Sequence, residues 1–226
     1  MRIRAEYSVS PDLRFLSNLE MMRLIERSLR RASLPYALTE GFNPHIKLSL
    51  GTVLPVGVWG TREYFDLDLN EDMKPEEFMY RINQVLPEGV RVNEAQVIPE
   101  KAASLMKIIN SASYTFALNE PEEKIVRLKE EILKAESLKI KSRGKKKNVE
   151  KDLKAGIYKA EVKYEKGQSY ITFFVSVGEP VNVRYDELND LLLRYGISEE
   201  KITDICRNGN YIKEGEFFYT PLEKVI

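Results

Sequence analysis

The chain has very little of the residues that form disulfides and hold metals, since its 226 residues include one cysteine and one histidine. The single thiol, Cys206, excludes an internal disulfide and favours a reducing compartment. An iron–sulfur cluster held by this chain alone is excluded as well, because such clusters need several thiolates. A lone histidine also argues against a zinc site. We therefore expect a chain that binds no cofactor and no metal of its own.

Long apolar runs and an excess of charge of one sign are also missing. No run approaches the ~20 apolar residues of a membrane span, and the N-terminal MRIRAEYSVS lacks the apolar core of a signal peptide. The 35 basic and 35 acidic residues cancel, so any affinity for nucleic acid must come from local patches. These observations predict a cytoplasmic protein that does not contact a membrane.

The apolar pattern of the first half predicts an α+β fold. Apolar and polar residues alternate in RIRAEYSV, which is typical of a strand with one buried face. Ser10 and Pro11 suit the N-cap and first position of a helix. The residues predicted on its buried stripe are Phe15, Leu19, Met22 and Leu29. Two more strands, a helix from Pro75 and a closing strand complete the order β-α-β-β-α-β, which is the ferredoxin-like arrangement.

The second half repeats this pattern after Pro99, with a strand, a helix, a hairpin, a helix and a last strand at KITDICR. We therefore predict two tandem ferredoxin-like (βαββαβ) units with antiparallel sheets. The predicted domains are residues 1–99 and 100–226, and the second carries a lysine-rich loop near residues 139–154.

That loop, LKIKSRGKKKNVEKDLKAG, has the largest local imbalance of charge in the chain. A flexible basic loop neutralises phosphates and gains affinity by counterion release, without reading sequence. The predicted RNA contacts here are Lys145, Lys146 and Lys147. The alternative is a solvated loop that keeps an edge strand from pairing.

Four arginines gather on one face of the predicted first helix. They are Arg23, Arg27, Arg30 and Arg31. Three of them are spaced i, i+4, i+7, and guanidinium groups match phosphates in a bidentate way. The alternative is pairing with Glu20 and Glu26, together with compensation of the helix dipole. Four arginines exceed that need, so we predict an anion-binding face.

The only histidine, His45, lies in the turn EGFNPHIKLSLG, with Tyr36 and Lys47 close in sequence. General acid–base chemistry on an RNA 2′-hydroxyl is open to this imidazole. The alternative is a loop histidine that donates to a backbone carbonyl and orders the turn. The strand REYFDLDL offers a candidate metal site, because Asp66 and Asp68 share one face and carboxylate oxygens suit Mg²⁺. The alternative is that this face is the solvent-exposed side of an amphipathic strand.

The segment LRRASLPYALTEGFNPHIKLSLGTVLPVGVWGTREYFDLDL resembles the signature of the radical-SAM-linked proteins, a bacterial domain of unknown function. A GFNPHPK-type turn, a Leu-Pro-x-Gly loop and an E-Y-x-D strand carry the resemblance. The matching residues are Gly41, Phe42, Asn43, Pro44, His45, Lys47, Leu54, Pro55, Gly57, Glu63, Tyr64 and Asp66. Ile46 replaces the usual proline, and the similarity spans roughly residues 1–165.

The resemblance implies a partner, a radical-SAM enzyme with a cobalamin-type domain, and a role in handling RNA, either rRNA or tRNA. We therefore predict a non-catalytic accessory protein that binds RNA in a groove formed by the first helix, the GFNPH turn and the lysine-rich loop. In this hypothesis residues 41–47 form the specific site, and the rings of Phe42 and Tyr64 stack on bases.

Two alternatives remain open at this stage. The chain is loosely similar to the CRISPR-repeat-processing endoribonucleases, tandem ferredoxin-like proteins in which a histidine, often with tyrosine and lysine, follows the first helix. Tyr36, His45 and Lys47 occupy comparable places, which implies a metal-independent endoribonuclease. The glycine-rich loop of that family is not matched well by RNGNYIKEGEF. The other alternative is a protein–protein docking module that does not bind RNA.

Overall fold

The computed structural model describes residues 1–142 and 149–226. Over these residues the fold is mixed α/β, with five α-helices and eleven strands in a mostly antiparallel arrangement. The chain divides into two compact units, one of Met1–Ile109 with Gly209–Ile226 and the other of Asn110–Asn208. The predicted division at residue 99 stays a prediction, and the compact units have other bounds because the last 18 residues group with the first unit.

The first unit contains most of the predicted candidate site. Its elements are β1 (Arg2–Val9), α1 (Asn18–Arg31), β2 (Leu48–Leu50), β3 (Trp59–Asp68), α2 (Pro75–Asn83), β4 (Val90–Ile98) and α3 (Leu105–Ile108). Strand β1 lies between β3 and β4 and is antiparallel to both, and β2 pairs with the end of β3. These four strands therefore form part of one sheet, in the order β4-β1-β3-β2.

The two faces of β1 have different neighbours, as the alternation of its sequence predicts. Ile3, Ala5, Tyr7 and Val9 are buried in a core that also contains residues of α1 and α2. The alternate residues Arg2, Arg4 and Glu6 lie directly opposite Asp68, Asp66 and Tyr64 of β3. One face of β1 therefore supplies the apolar core, and the other face carries a row of polar cross-strand pairs.

The first helix starts later than the sequence pattern predicts. Pro11–Leu13 forms only a single 3₁₀ turn, and Ser10 makes no capping hydrogen bond with its side chain. The α-helix starts at Asn18, where Ser17 and Glu20 form a capping box that satisfies free N–H groups from both sides. This shift of start changes the buried stripe. The buried residues are Met21, Ile25, Ser28 and Leu29, whereas Phe15 is 70% exposed and Leu19 is 57% exposed.

The second unit contains β5 (Ser111–Leu118), α4 (Glu122–Lys134), β6 (Lys139–Lys141), β7 (Glu150–Asp152), β8 (Ile157–Glu165), β9 (Gln168–Ser176) and α5 (Tyr185–Arg194). A long strand, β10 (Ile202–Glu214), follows, and its residues up to Asn208 belong to this unit. The strand order is β10-β5-β9-β8. In the first unit Ile212–Glu214 of β10 pair with β11 (Phe217–Tyr219).

The lysine-rich segment begins and ends in the β6–β7 hairpin. Lys151 in β7 pairs with the fully buried carboxylate of Glu187 at 2.6 Å, and the backbone N–H of Leu138 donates to Asp152 at 2.7 Å. These bonds attach the base of the hairpin to its own unit. The predicted RNA contacts Lys145, Lys146 and Lys147 lie outside the described residues. In the part of the chain that the structure describes, no helix has the length and apolar character needed to cross a bilayer.

Candidate nucleic-acid interface

The four predicted arginines are all exposed on α1, and they line one groove of the first unit. The groove has a volume of about 660 Å³. Its other lining residues are Leu16, Glu20, Leu24 and Pro87. Since an α-helix rises 1.5 Å per residue, Arg23 and Arg27 follow one another about 6 Å apart along the axis. Because all four side chains line the same groove, they share one side of α1, as the sequence spacing predicts.

The four guanidinium groups differ in their partners. Arg31 donates to the carbonyl of Val85 at 2.7 Å, which ties it to the loop after α2. Arg30 lies 3.9 Å from Glu26, a separation that gives an ion pair without a hydrogen bond. Among the described residues Arg27 has neither a hydrogen bond nor an ion pair. The predicted pairing with glutamates accordingly leaves cationic groups on this face available to a ligand.

Glu20 lines the groove, and its carboxylate is hydrogen-bonded to the N-cap residue of α1, Ser17. The N–H and the hydroxyl of Ser17 donate to the same carboxylate oxygen at 2.8 and 2.7 Å. These bonds, with a smaller contribution from the nearby charge of Arg23, lower the pKa of Glu20. The carboxylate is thus occupied by the helix N-terminus, and the arginines dominate the charge of the groove.

The GFNPH turn is the tip of a small hairpin. Leu38 and Ile46 pair as an antiparallel bridge, and the N–H of Lys47 donates to the carbonyl of Ala37 at 2.8 Å. Gly41 has φ +123°, a region that favours glycine. Residues 41–45 are all exposed, and the ring of Phe42 is as exposed as in an extended chain. The turn therefore presents its side chains outward from a tied base.

His45 orders this turn through its backbone. Its N–H donates to the hydroxyl of Thr39 at 2.9 Å, and its carbonyl accepts from the Thr39 N–H at 2.8 Å. The imidazole has no hydrogen-bond partner among the described residues, so the interpretation that it donates to a backbone carbonyl is wrong. In the same part of the chain, no hydrogen bond joins the side chains of Tyr36, His45 and Lys47.

The E-Y-x-D residues of β3 lie in the interior of the first unit. Asp66 accepts two hydrogen bonds from the buried Arg4, at 2.8 and 3.0 Å. Glu63 is buried and accepts from the Asn210 amide at 3.3 Å. Asp68 forms a partly exposed pair with Arg2 at 2.6 Å. Asp66 therefore does not lie on the wet side of an amphipathic strand, and the described residues contain no cluster of three acidic, histidine or cysteine groups that suits a metal.

Tyr64 is 1% exposed, and its hydroxyl donates to Glu6 at 2.7 Å. Burial raises the pKa of Tyr64, and the bond to Glu6 raises this pKa further. Burial also raises the pKa of Glu6, while the hydrogen bond from Tyr64 acts in the opposite direction. The ring of Tyr64 offers no face to a base in this structure, which corrects the prediction that it stacks on RNA.

Sequence analysis missed the partners of these buried residues, namely Arg4, Glu6 and Asn210. A signal was present, because Arg4 and Glu6 alternate with the apolar residues of β1 and so had to face the opposite side of the sheet. That side is covered within the same unit. Leu105, Ile108, Ile109, Ile212 and Leu222 form a second apolar cluster around Tyr64.

A family model matches residues 2–185, and its description is "Uncharacterized protein conserved in bacteria (DUF2344)". The chain belongs to this family. The matched range contains α1, the GFNPH turn and the buried residues of β3. No curated protein matches the chain.

Solved structures were compared as well. A chain in the crystal structure of a Cbf5-Nop10-Gar1 complex is similar, with a TM-score of 0.52 and 15% identity, over 95% of this family member and 50% of that chain. The protein thus spans about half the length of that chain, and at this identity the similarity concerns the fold alone. The crystal structure of an unknown protein from Galdieria sulphuraria matches at a TM-score of 0.24 with 10% identity, over 92% of this chain and 96% of that one.

Proposed function

We propose that this protein binds RNA through the arginine face of α1 and serves as a non-catalytic accessory protein of a radical-SAM enzyme. The observation that carries the RNA-binding part is the groove beside α1, which four exposed arginines line. Since the chain has no net charge, affinity for a polyanion must come from a local concentration of cationic groups such as this one. Each guanidinium offers a planar fork of donors that fits a phosphate.

The accessory part of the proposal rests on the resemblance of the GFNPH, Leu-Pro-x-Gly and E-Y-x-D segments to the radical-SAM-linked proteins. The proposal assigns no catalytic role to Tyr36, His45 or Lys47. A partner enzyme would then supply the chemistry, and this chain would hold or orient the RNA.

We also propose the finer fold assignment of two ferredoxin-like units. The orders β4-β1-β3 in the first unit, with β2 beside β3, and β10-β5-β9-β8 in the second support it. The participation of the GFNPH turn in the RNA site is part of the proposal, and the participation of the lysine-rich loop stays a prediction.

A charge reversal on α1 tests the RNA-binding part. We expect Arg27→Glu to weaken the binding of labelled total RNA on a filter and to reduce the dependence of log K on log salt, since the slope counts neutralised phosphates. The matched control is Arg127→Glu. Arg127 is an exposed arginine on α4, and among the described residues it too has no ion pair. Equal affinity in the wild type and Arg27→Glu would refute the proposal.

The exposure of Phe42 favours a second candidate, a protein-docking module that does not need RNA. A fully exposed aromatic ring on a tied hairpin is the kind of anchor that fills a pocket on a partner. This candidate predicts a complex between the purified protein and a purified radical-SAM protein that has a cobalamin-type domain. It also predicts that Phe42→Ala abolishes the complex in size-exclusion chromatography while nuclease treatment leaves it intact.

A further inference from the structure

Two exposed apolar side chains lie just before and at the start of α1, on either side in sequence of Leu16, which lines the arginine groove. The ring of Phe15 is 70% exposed and the side chain of Leu19 is 57% exposed. The guanidinium carbon of Arg14 lies 5.5 Å from the centroid of the Phe15 ring. An exposed ring beside a guanidinium group suits a ligand that has both a flat apolar face and negative charge, so we take Arg14 and Phe15 as a candidate contact for such a ligand.

The backbone at Phe15 is held in place on both sides. The carbonyl of Arg14 accepts from the N–H of Gly57 at 2.7 Å, and the N–H of Leu16 donates to the carbonyl of Leu13 at 3.1 Å. Ser17 then caps the helix. Because its main chain is fixed, Phe15 loses little freedom when a ligand stacks on its ring, and such preorganisation favours binding.

Leu19 continues the line of arginines toward the N-terminus of α1, which begins at Asn18, three residues after Phe15. Leu19, Arg23 and Arg27 follow at i, i+4 and i+8, so they share a face of the helix. The stripe from Leu19 to Arg30 is about 17 Å long at 1.5 Å per residue. Leu16 and Leu24 line the groove together with the arginines. A strand that lies along the arginines and continues past Leu19 reaches the segment of Arg14 and Phe15, which directly precedes Leu16 of the groove lining.

A duplex presents its phosphates outward but keeps its base faces stacked inside, whereas a single strand offers both phosphates and free base faces. We infer, on the basis of the proposed RNA binding, that the ligand of the α1 groove is single-stranded RNA, and that one unpaired base stacks on Phe15. Arg14, Arg23 and Arg27 then neutralise the backbone on either side of that base. Phe15 is in this proposal a specificity-determining residue that selects unpaired RNA over duplex.

The test compares a single-stranded oligoadenylate with an RNA duplex of matched length, by fluorescence anisotropy across a salt series. We expect the wild type to prefer the single strand. Phe15→Ala should weaken that binding about 5- to 100-fold, which is the range for one base–aromatic stack, with no change in salt slope. Phe15→Trp should retain the affinity. The matched control is Tyr80→Ala, which removes an aromatic ring of equal exposure from α2.

A stacking readout separates this inference from the proposal on which it rests. An oligonucleotide carrying 2-aminopurine should lose fluorescence on binding to the wild type and keep it with Phe15→Ala. Salt-dependent binding that is equal for the two RNAs and unaffected by Phe15→Ala would overturn the inference and leave the RNA proposal standing. No RNA binding by the wild type would overturn both. A glutamate-rich peptide that displaces the RNA and loses affinity equally in Phe15→Ala would assign the groove to an acidic protein segment instead.

Discussion

Asp66 on β3 accepts two hydrogen bonds from Arg4 on β1, Nε to Oδ1 at 2.8 Å and Nη2 to Oδ2 at 3.0 Å. Arg4 is completely buried and Asp66 nearly so. The guanidinium also donates to the carbonyl of Ala103 at 3.0 Å and to that of Pro221 at 3.4 Å. One side chain thus joins β3, the segment before α3 and the C-terminal segment within the first unit.

Removing Arg4 should destabilise the protein far more than removing its neighbour Arg2. Arg4→Met leaves the Asp66 carboxylate buried without its partner, which costs about 3–5 kcal/mol. Arg2 and Asp68 are each 26% exposed, and such pairs contribute about 0–1 kcal/mol, so Arg2→Met is the matched control. Urea denaturation measures the free energy of unfolding of both variants, and an unchanged m-value shows that only stability has changed. Equal losses would mean that Arg4 does not hold the unit together.

The stability of the protein should depend on the ionisation of Glu6. Because the pKa of Glu6 is raised in the folded state above the ordinary value of 4.5, the folded protein binds more protons than the unfolded chain above that pH. The free energy of unfolding of the wild type, relative to Glu6→Gln, should fall as the pH rises from 4.5 through the folded pKa. Denaturant titrations of both proteins across this range check the difference. A constant difference would contradict the raised pKa.

The helix cap can be tested with two serines seven residues apart. Ser17→Ala should cost about 0.5–2 kcal/mol, since Ser17 and Glu20 form the capping box of α1. Ser10→Ala should cost much less, because Ser10 makes no capping bond with its side chain. Thermal unfolding followed by circular dichroism measures both. If Ser10 proves the more costly position, the α-helix starts where the sequence pattern predicted.

Neither the wild type nor His45→Ala should cleave RNA, because the proposed accessory role requires no cleavage by this chain. We expect wild type and His45→Ala, incubated with labelled RNA in EDTA, to leave the strands at full length on a denaturing gel while wild type retains RNA on a filter. Cleavage by the wild type that is lost in His45→Ala would establish the endoribonuclease alternative. Tyr36 and Lys47 would then be the next residues to substitute, since both lie close to His45 in sequence.

Local signals predicted much of the chain correctly. The alternation in β1 and the proline at the start of α2 indicated these elements, because strand alternation and helix initiation depend on neighbouring residues. The exposed arginines of α1 were found for the same reason, as helical spacing decides which side chains share a face. The last strand was predicted too short, at KITDICR, because Tyr211 and Ile212 are buried by elements distant in sequence.

What the sequence determined by itself is the mixed fold, most of its elements, the single histidine in a turn and a basic helix face on a neutral chain. The tertiary structure decided which polar residues are accessible. The alternation of β3 alone does not distinguish its buried polar residues from exposed ones. Glu63, Tyr64 and Asp66 are buried. Their partners are Asn210, Glu6 and Arg4, which lie about 60 to 150 positions away in the chain. A buried charge needs such a partner, and only the folded chain brings the two together.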